Sequence, residues 1–192
     1  IATLQGRFFG MDRNHNWERT DRAFMLLTQG EGTHFDTASR AIQASYLHGI
    51  TDEFIEPITL VPAQSELLVG NDDSIVFFNF RADRMRQLAN LFLHQEPTVA
   101  HHALKNLHLV SMTAYVDEPQ GINVAFPDKT VPLHLSEIIS TLNLPQFKIA
   151  ETEKYAHLTY FFNGGRETPY PKEERLMIPS KRTKDWTQLP QL

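Results

Sequence analysis

Ile75-Val76-Phe77-Phe78-Asn79-Phe80-Arg81-Ala82-Asp83-Arg84-Met85-Arg86-Gln87 decides the fold, because a nearly unbroken apolar run stops abruptly at a cluster of arginines. The residues from Ile75 to Phe80 are mostly aromatic or β-branched and show no clean polar alternation. That pattern predicts a strand buried on both faces of an α/β sheet. From Ala82 the spacing changes: Met85, Leu88, Ala89 and Phe92 recur at three and four, so a helix begins where the strand ends. Arg81 and Arg84 are thereby placed at the carboxyl edge of a strand and in the first turn of a helix, where open α/β sheets bind ligands. Two cations at a helix N-terminus oppose the macrodipole by about 0.3–1 kcal/mol each, unless a phosphate or carboxylate lies between them and the free amides. The same spacing suits a plainer arrangement, in which Asp83 and nearby acids neutralise the arginines in a solvated first turn. Spacing alone leaves both open.

Upstream, Ile1 to Phe9 has a strand-like pattern, and the polar turn from Gly10 to Asn16 leads into a helix from Trp17 to Gln29. Asn14 or Asn16 can cap that helix, and Gly30 ends it. Arg7 and Arg13 bracket the turn, so both can project from the loop side of the same sheet edge. Asp36 is expected to cap a second helix through Ala41, Ile42, Tyr46 and Leu47, stopped at His48-Gly49. Glu53 to Pro62, with its prolines, is expected to be a short edge segment.

Downstream, Leu107 to Tyr115 predicts another sheet strand. Asp117-Glu118-Pro119-Gln120-Gly121 and Pro127-Asp128-Lys129 flank a short apolar patch and suggest a connection between two structural units. Leu135, Ile138, Ile139 and Leu142 define an amphipathic helix that Pro145 prevents from continuing. Phe147 to Ala150 predicts a short strand, followed by a helix with Thr152 as its cap and Asn163-Gly164 as its stop; strand competes from Tyr155 onward. In the helical reading Lys154 repeats the placement of a cation in a first turn after a strand. Arg175 to Ile178 is a last short strand. The paired His101-His102 has no third metal ligand at useful spacing and suits a solvated loop.

The chain has 192 residues, 41% of them hydrophobic, enough for a substantial core in one large or two small domains. It lacks cysteine, which excludes disulfides, thiolate metal sites and cysteine nucleophiles. The net charge of −5 argues against general nucleic-acid binding. No apolar run reaches the roughly 20 residues of a membrane span. The strand-like start and loop-like finish suggest a piece of a larger protein.

Taken together, three stretches resemble the cofactor-independent (2,3-bisphosphoglycerate-independent) phosphoglycerate mutases of the alkaline phosphatase superfamily. Gly6-Arg7-Phe8-Phe9-Gly10-Met11-Asp12-Arg13 is similar to that family's GRYYAMDR motif, and Phe78-Asn79-Phe80-Arg81-Ala82-Asp83-Arg84 to its FNFRPDR motif. Ala150-Glu151-Thr152-Glu153-Lys154-Tyr155-Ala156-His157 is similar to its AETEKYAH motif. The resemblance implies an α/β fold, with a mixed or mostly parallel sheet flanked by helices. It places residues 1–128 in the later part of an inserted phosphotransferase, substrate-binding domain, and residues 129–192 at the return to a phosphatase-like metal domain. It implies interconversion of 3-phosphoglycerate and 2-phosphoglycerate through a phosphoserine, with two manganese ions or similar divalents, in a cytoplasmic enzyme expected to be a monomer.

Arg7, Arg13, Arg81 and Arg84 match arginines that hold the glycerate carboxylate and phosphate, and Lys154 matches a lysine at the phosphoryl group. By the same resemblance the serine nucleophile and the metal ligands lie outside this chain. The isolated chain is therefore expected to be inactive, and prone to self-association through sheet edges meant to be covered. A non-catalytic anion-binding module and another metal-dependent phosphotransferase of the superfamily are the competing readings.

Overall fold

A computed structural model describes residues 1–63, 65–93, 104–116, 120–127, 129 and 132–181. They fall into two compact units, Ile1–Asp128 and Lys129–Leu192. His101-His102 lies outside the described residues, as do Asp117 to Pro119.

The first unit opens with β1 (Thr3–Leu4) and a short helix α1 (Arg7–Gly10), so the strand-like pattern through Phe9 is half correct. Phe9 is buried in the core, and the helical turn is what lets it reach there beside a half-buried Phe8. Helix α2 (Trp17–Gln29) forms as expected, and Gly30 ends it in the left-handed region at φ 72°. After β2 (Thr33–His34) comes α3 (Ala38–Leu47). Its cap is Thr37, whose hydroxyl accepts from the Arg40 amide at 3.3 Å, while the expected Asp36 pairs with the Arg40 side chain instead. β3 (Ile58–Thr59) is also a correction: it is the central strand of the order β1-β3-β2, antiparallel to β1 and parallel to β2. Both its residues are buried, because the prolines flank the pairing positions rather than occupy them.

The second sheet holds β4 (Ser74–Phe77), β5 (His108–Ser111) and β6 (Ile122–Val124), all parallel in that order, with α4 (Ala82–Phe92) following β4. The patch between Gly121 and Pro127, expected to be mere connection, supplies the third strand. β4 is shorter than Ile75 to Phe80 and is covered on one face only: Phe77 is buried, whereas Val76 is 56% and Phe78 79% exposed. It stops because the Tyr115 hydroxyl donates to the Phe77 carbonyl at 3.0 Å and also to Asn79 O, while the Asn79 amide turns back to Phe77 O at 2.9 Å. Helix α4 then buries Met85, Leu88, Ala89 and Phe92 at the expected spacing. Phe92 stacks against Phe24 of α2 at 4.8 Å and Phe77 at 5.9 Å, so helix and strand share one aromatic core.

Gly6 joins the two ends of the first sheet's loops. Its amide donates to Ile55 O at 2.8 Å, and an added Cβ would stand 2.2 Å from the Glu53 carbonyl oxygen. Gly6→Ala should therefore force α1 from the turn at Asp52–Phe54 and lower stability by about 1–3 kcal/mol. A thermal melt at the wild-type midpoint would show that the turn gives way freely.

The second unit pairs β7 (Gln146–Glu151) in parallel with β8 (Glu173–Ile178). α5 (Leu135–Thr141) precedes them, and α6 (Thr152–Ala156) follows β7 directly, continuing into a wider π-type turn, His157–Phe161. The helical reading beyond Tyr155 holds, although Glu151 and not Thr152 is the cap residue. α5 carries its apolar spacing on an exposed face, with Leu135 55% and Leu142 64% accessible, and buries Ser136.

Candidate functional site

The GRFFGMDR loop and the RADR turn meet in the first unit. Arg7 starts α1, Arg13 lies in the loop after it, Arg81 is the cap residue of α4 and Arg84 sits in its first turn. The loop is shaped by Asp12, which is buried and accepts from the amides of Asn14 and Asn16 at 3.0 Å each and from Asn16 Nδ2 at 2.9 Å. Gln87 of α4 closes the network: Nε2 donates to Asp12 at 3.1 Å and to the Thr20 hydroxyl at 2.9 Å, and its oxygen accepts from the His15 amide at 2.9 Å. Burial acts to raise the Asp12 pKa, but the hydrogen bonds from Asn16, Gln87 and Asn14 outweigh it and hold the carboxyl below its ordinary value. One buried amide thus fixes the loop bearing Arg13 against the helix bearing Arg84.

The four arginines are brought together around two carboxylates, Asp83 and Glu53. Arg13 Nη1 donates to Asp83 Oδ2 at 2.8 Å, and Arg81 grips the same carboxylate with Nε at 2.7 Å and Nη2 at 3.1 Å. Arg7 pairs with Glu53 at 2.8 Å on the surface. Half-buried Arg84 donates Nη1 to the Met11 carbonyl at 3.1 Å and makes no direct ion pair among the described residues, the charge of Asp83 reaching it only through space. Burial first, then the guanidinium charges of Arg13, Arg7 and Arg81, push Arg84 below its ordinary pKa against the opposing charge of Asp83. Burial works against Asp83's ionisation, yet the hydrogen bonds and charges of Arg81 and Arg13 bring its pKa to about 2. Of the two arrangements that spacing left open, the plainer one is present in part: Asp83 neutralises Arg81 and Arg13, while half-buried Arg84 is bonded to a backbone carbonyl.

Lys154 stands in the second unit, exposed in the first turn of α6, with no partner among the described residues. Beneath that turn Lys148 of β7 is buried, donating to the Ser136 hydroxyl at 2.8 Å and to Asn163 Oδ1, with Glu173 Oε1 at 3.3 Å. Glu173 accepts from Arg175 Nε at 2.6 Å, Asn163 Nδ2 at 2.9 Å and the Tyr170 amide at 3.0 Å. Sequence reading missed Asp12, Gln87, Lys148 and Glu173. Gln87 and Lys148 carried one usable signal, a polar residue at an otherwise apolar helix or strand position. Among the described residues no group of three or more His, Asp or Glu side chains is placed to hold a metal ion, so the chain's described residues do not form a metal centre.

The described units thus define an α/β protein, and in its first unit the strand-to-helix turn after β4 and the loop after α1 gather four guanidinium groups. Residues 1–117 match the family model described as BPG-independent PGAM N-terminus, where PGAM is phosphoglycerate mutase. The chain belongs to the BPG-independent phosphoglycerate mutase family. It is 45% identical over its full length to the 2,3-bisphosphoglycerate-independent phosphoglycerate mutase of Moorella thermoacetica and 38% identical to that of Parabacteroides distasonis. In each case it spans 38% of the relative's length. A crystal structure of Leishmania mexicana phosphoglycerate mutase, obtained at low cobalt concentration, matches 99% of this chain and 36% of its own with a TM-score of 0.71 at 25% identity.

Proposed function

We propose that the whole protein interconverts 3-phosphoglycerate and 2-phosphoglycerate, and that this chain supplies the clamp for the glycerate carboxylate and phosphate. The observation that carries the reading is the convergence of Arg7, Arg13, Arg81 and Arg84, with Arg84 making no direct ion pair among the described residues. Guanidinium forks bind carboxylate and phosphate bidentately and do not titrate away, so they fix the glycerate while its phosphoryl group leaves. Lys154 offers a point charge to phosphoryl oxygens that gain negative charge during transfer. Residues 1–128 then belong to the substrate-binding domain and residues 129–192 to the phosphatase-like one. A divalent metal requirement, with manganese the first candidate, fits the cobalt named with the Leishmania relative; no ligand is assigned to this chain. A glycolytic role in the cytoplasm and a monomeric whole enzyme complete the proposal, and among the described residues no helix is long and apolar enough to cross a membrane.

The test is calorimetric titration of the whole protein with 3-phosphoglycerate and, separately, with glycerate. Binding of the phosphorylated ligand and weak or absent binding of glycerate is expected, together with interconversion of the two phosphoglycerates when manganese is added. A protein that binds neither ligand, or binds without turnover in the presence of metal, refutes the assignment.

A further inference from the structure

We propose that Gln87 is a positioning residue of the arginine site: by holding Asp12 it fixes the Met11 carbonyl, and that carbonyl aims the Arg84 guanidinium at the ligand. The inference rests on reading the site as a phosphoglycerate clamp. Arg84 and Gln87 stand three residues apart on α4, so they share one face of the helix. Met11 and Asp12 are consecutive, and each meets one of the pair. Arg84 Nη1 donates to Met11 O at 3.1 Å, and Gln87 Nε2 donates to Asp12 Oδ1 at 3.1 Å. The two bonds are neighbouring rungs between helix and loop. The Gln87 rung is the buried one, with Gln87 4% and Asp12 6% exposed, whereas Arg84 is half-buried.

The Gln87 amide has one workable orientation. Its nitrogen donates to Asp12 and Thr20 and its oxygen accepts from the His15 amide, so a flip would set oxygen against a carboxylate and nitrogen against an N–H. Asp12 is fixed in turn by the amides of Asn14 and Asn16, by Asn16 Nδ2, and by Arg19 of α2 at 3.4 Å. Arg84 is held more loosely. Its flexible stem carries the guanidinium among the charges of Arg13, Arg7 and Arg81, which repel it, and of Asp83, which attracts it. The Met11 carbonyl sets its direction against those pulls, and the place of that carbonyl follows from Asp12. Loosening the buried rung therefore leaves Arg84 present and charged but misdirected, and a fork that is out of line grips an anion less well.

The experiment titrates the whole protein calorimetrically with 3-phosphoglycerate as wild type, Gln87→Met, Arg84→Ala and the double variant carrying both. Gln87→Met keeps the side chain's length without its amide and should weaken binding about three- to tenfold. In the Arg84→Ala background the same substitution should cost less than about twofold, because the group it aims is gone. Equal losses in both backgrounds would show that Gln87 supports the site without acting through Arg84, and would overturn the proposal. Gln87→Glu gives a second readout if the methionine variant folds poorly. It keeps an acceptor for the His15 amide but turns a carboxylate toward Asp12, and two carboxylates in contact share one proton. The charged groups placed around this pair are Arg19 of α2, Arg84 of α4 and His15 of the loop. Affinity relative to wild type should be lowest near about pH 8 and recover toward about pH 5.5, as the shared proton restores the rung. Taking the ratio to wild type at each pH cancels the titration of the ligand and of His15. A ratio that is constant with pH would also overturn the proposal. Failure of the wild type to bind 3-phosphoglycerate would instead remove the reading of the site on which the proposal stands.

Discussion

Arg84→Ala should weaken 3-phosphoglycerate binding to the whole protein by about 10- to 100-fold, because a hydrogen bond between charged groups is worth about 1.5–3 kcal/mol. The effect should exceed that of Arg7→Ala. Arg7 is exposed and already balanced by Glu53, whereas Arg84 is half-buried, crowded by like charges and without a direct ion pair among the described residues. Removing the guanidinium also relieves that crowding, so the folded protein should be no less stable and the loss should appear in affinity rather than in the melting curve. Arg84→Lys should recover only part of the affinity, since an ammonium reproduces the charge but neither the fork nor the bond to the Met11 carbonyl in the same geometry. Equal affinities for wild type and Arg84→Ala in a calorimetric titration would move the anion site elsewhere.

Glu173→Ala should unfold or severely destabilise the second unit, at about 3–5 kcal/mol, because it leaves buried cations without their shared anion. The Glu173 side chain is inaccessible, Lys148 retains 6% and Arg175 11% exposure, so water cannot take over the lost charge. For a small unit with a total stability of about 5–15 kcal/mol this is a large share. The same group sets a pH dependence. Burial would raise the Glu173 pKa, but the Tyr170 amide and the side chains of Arg175, Asn163 and Lys148 overcome it and bring it to about 2, from 4.5 in the unfolded chain. A depressed folded pKa gives stability that is complete above the unfolded value and is lost as pH falls from about 4.5 toward 2. Thermal melts should show the acid-induced loss in wild type and a shallower one in Glu173→Gln. Parallel curves would place the acid sensitivity on another carboxylate.

The strand-to-helix turns were legible because the apolar period changes at Ala82, and because Gly30 marks the end of α2 where a left-handed residue is needed. The length of β4 was not. Phe78 and Phe80 look like strand core, yet the phenol of Tyr115 and the amide of Asn79 close a turn on the Phe77 carbonyl, and both rings project outward. The arginines of the site could be named from their motifs, but the network that positions them could not. Gln87 meets Asp12 and Thr20 across 75 and 67 positions of chain, separations over which no local periodicity operates. The capping residue of α3 failed for a more local reason: Asp36 and Thr37 are both good caps, and only the side-chain pairing of Asp36 with Arg40 decides between them. Buried Lys148 follows the same lesson as Gln87, since a lysine in a strand reads as solvated until Glu173 is seen beneath it.

Arg7 follows β1 of the first sheet, whereas Arg81 and Arg84 follow β4 of the second, and the loop carrying Arg13 is tied to the second sheet's helix through Asp83. Any anion gripped by all of them is therefore a non-covalent cross-link between two sheets that share no strand. Its affinity is stored as resistance of the whole unit to opening, by roughly 2.7 kcal/mol when the ligand stands at a hundred times its dissociation constant. A cell rich in the ligand would therefore hold this unit more firmly folded, and one depleted of it would leave the two sheets joined by their shared aromatic core without that cross-link.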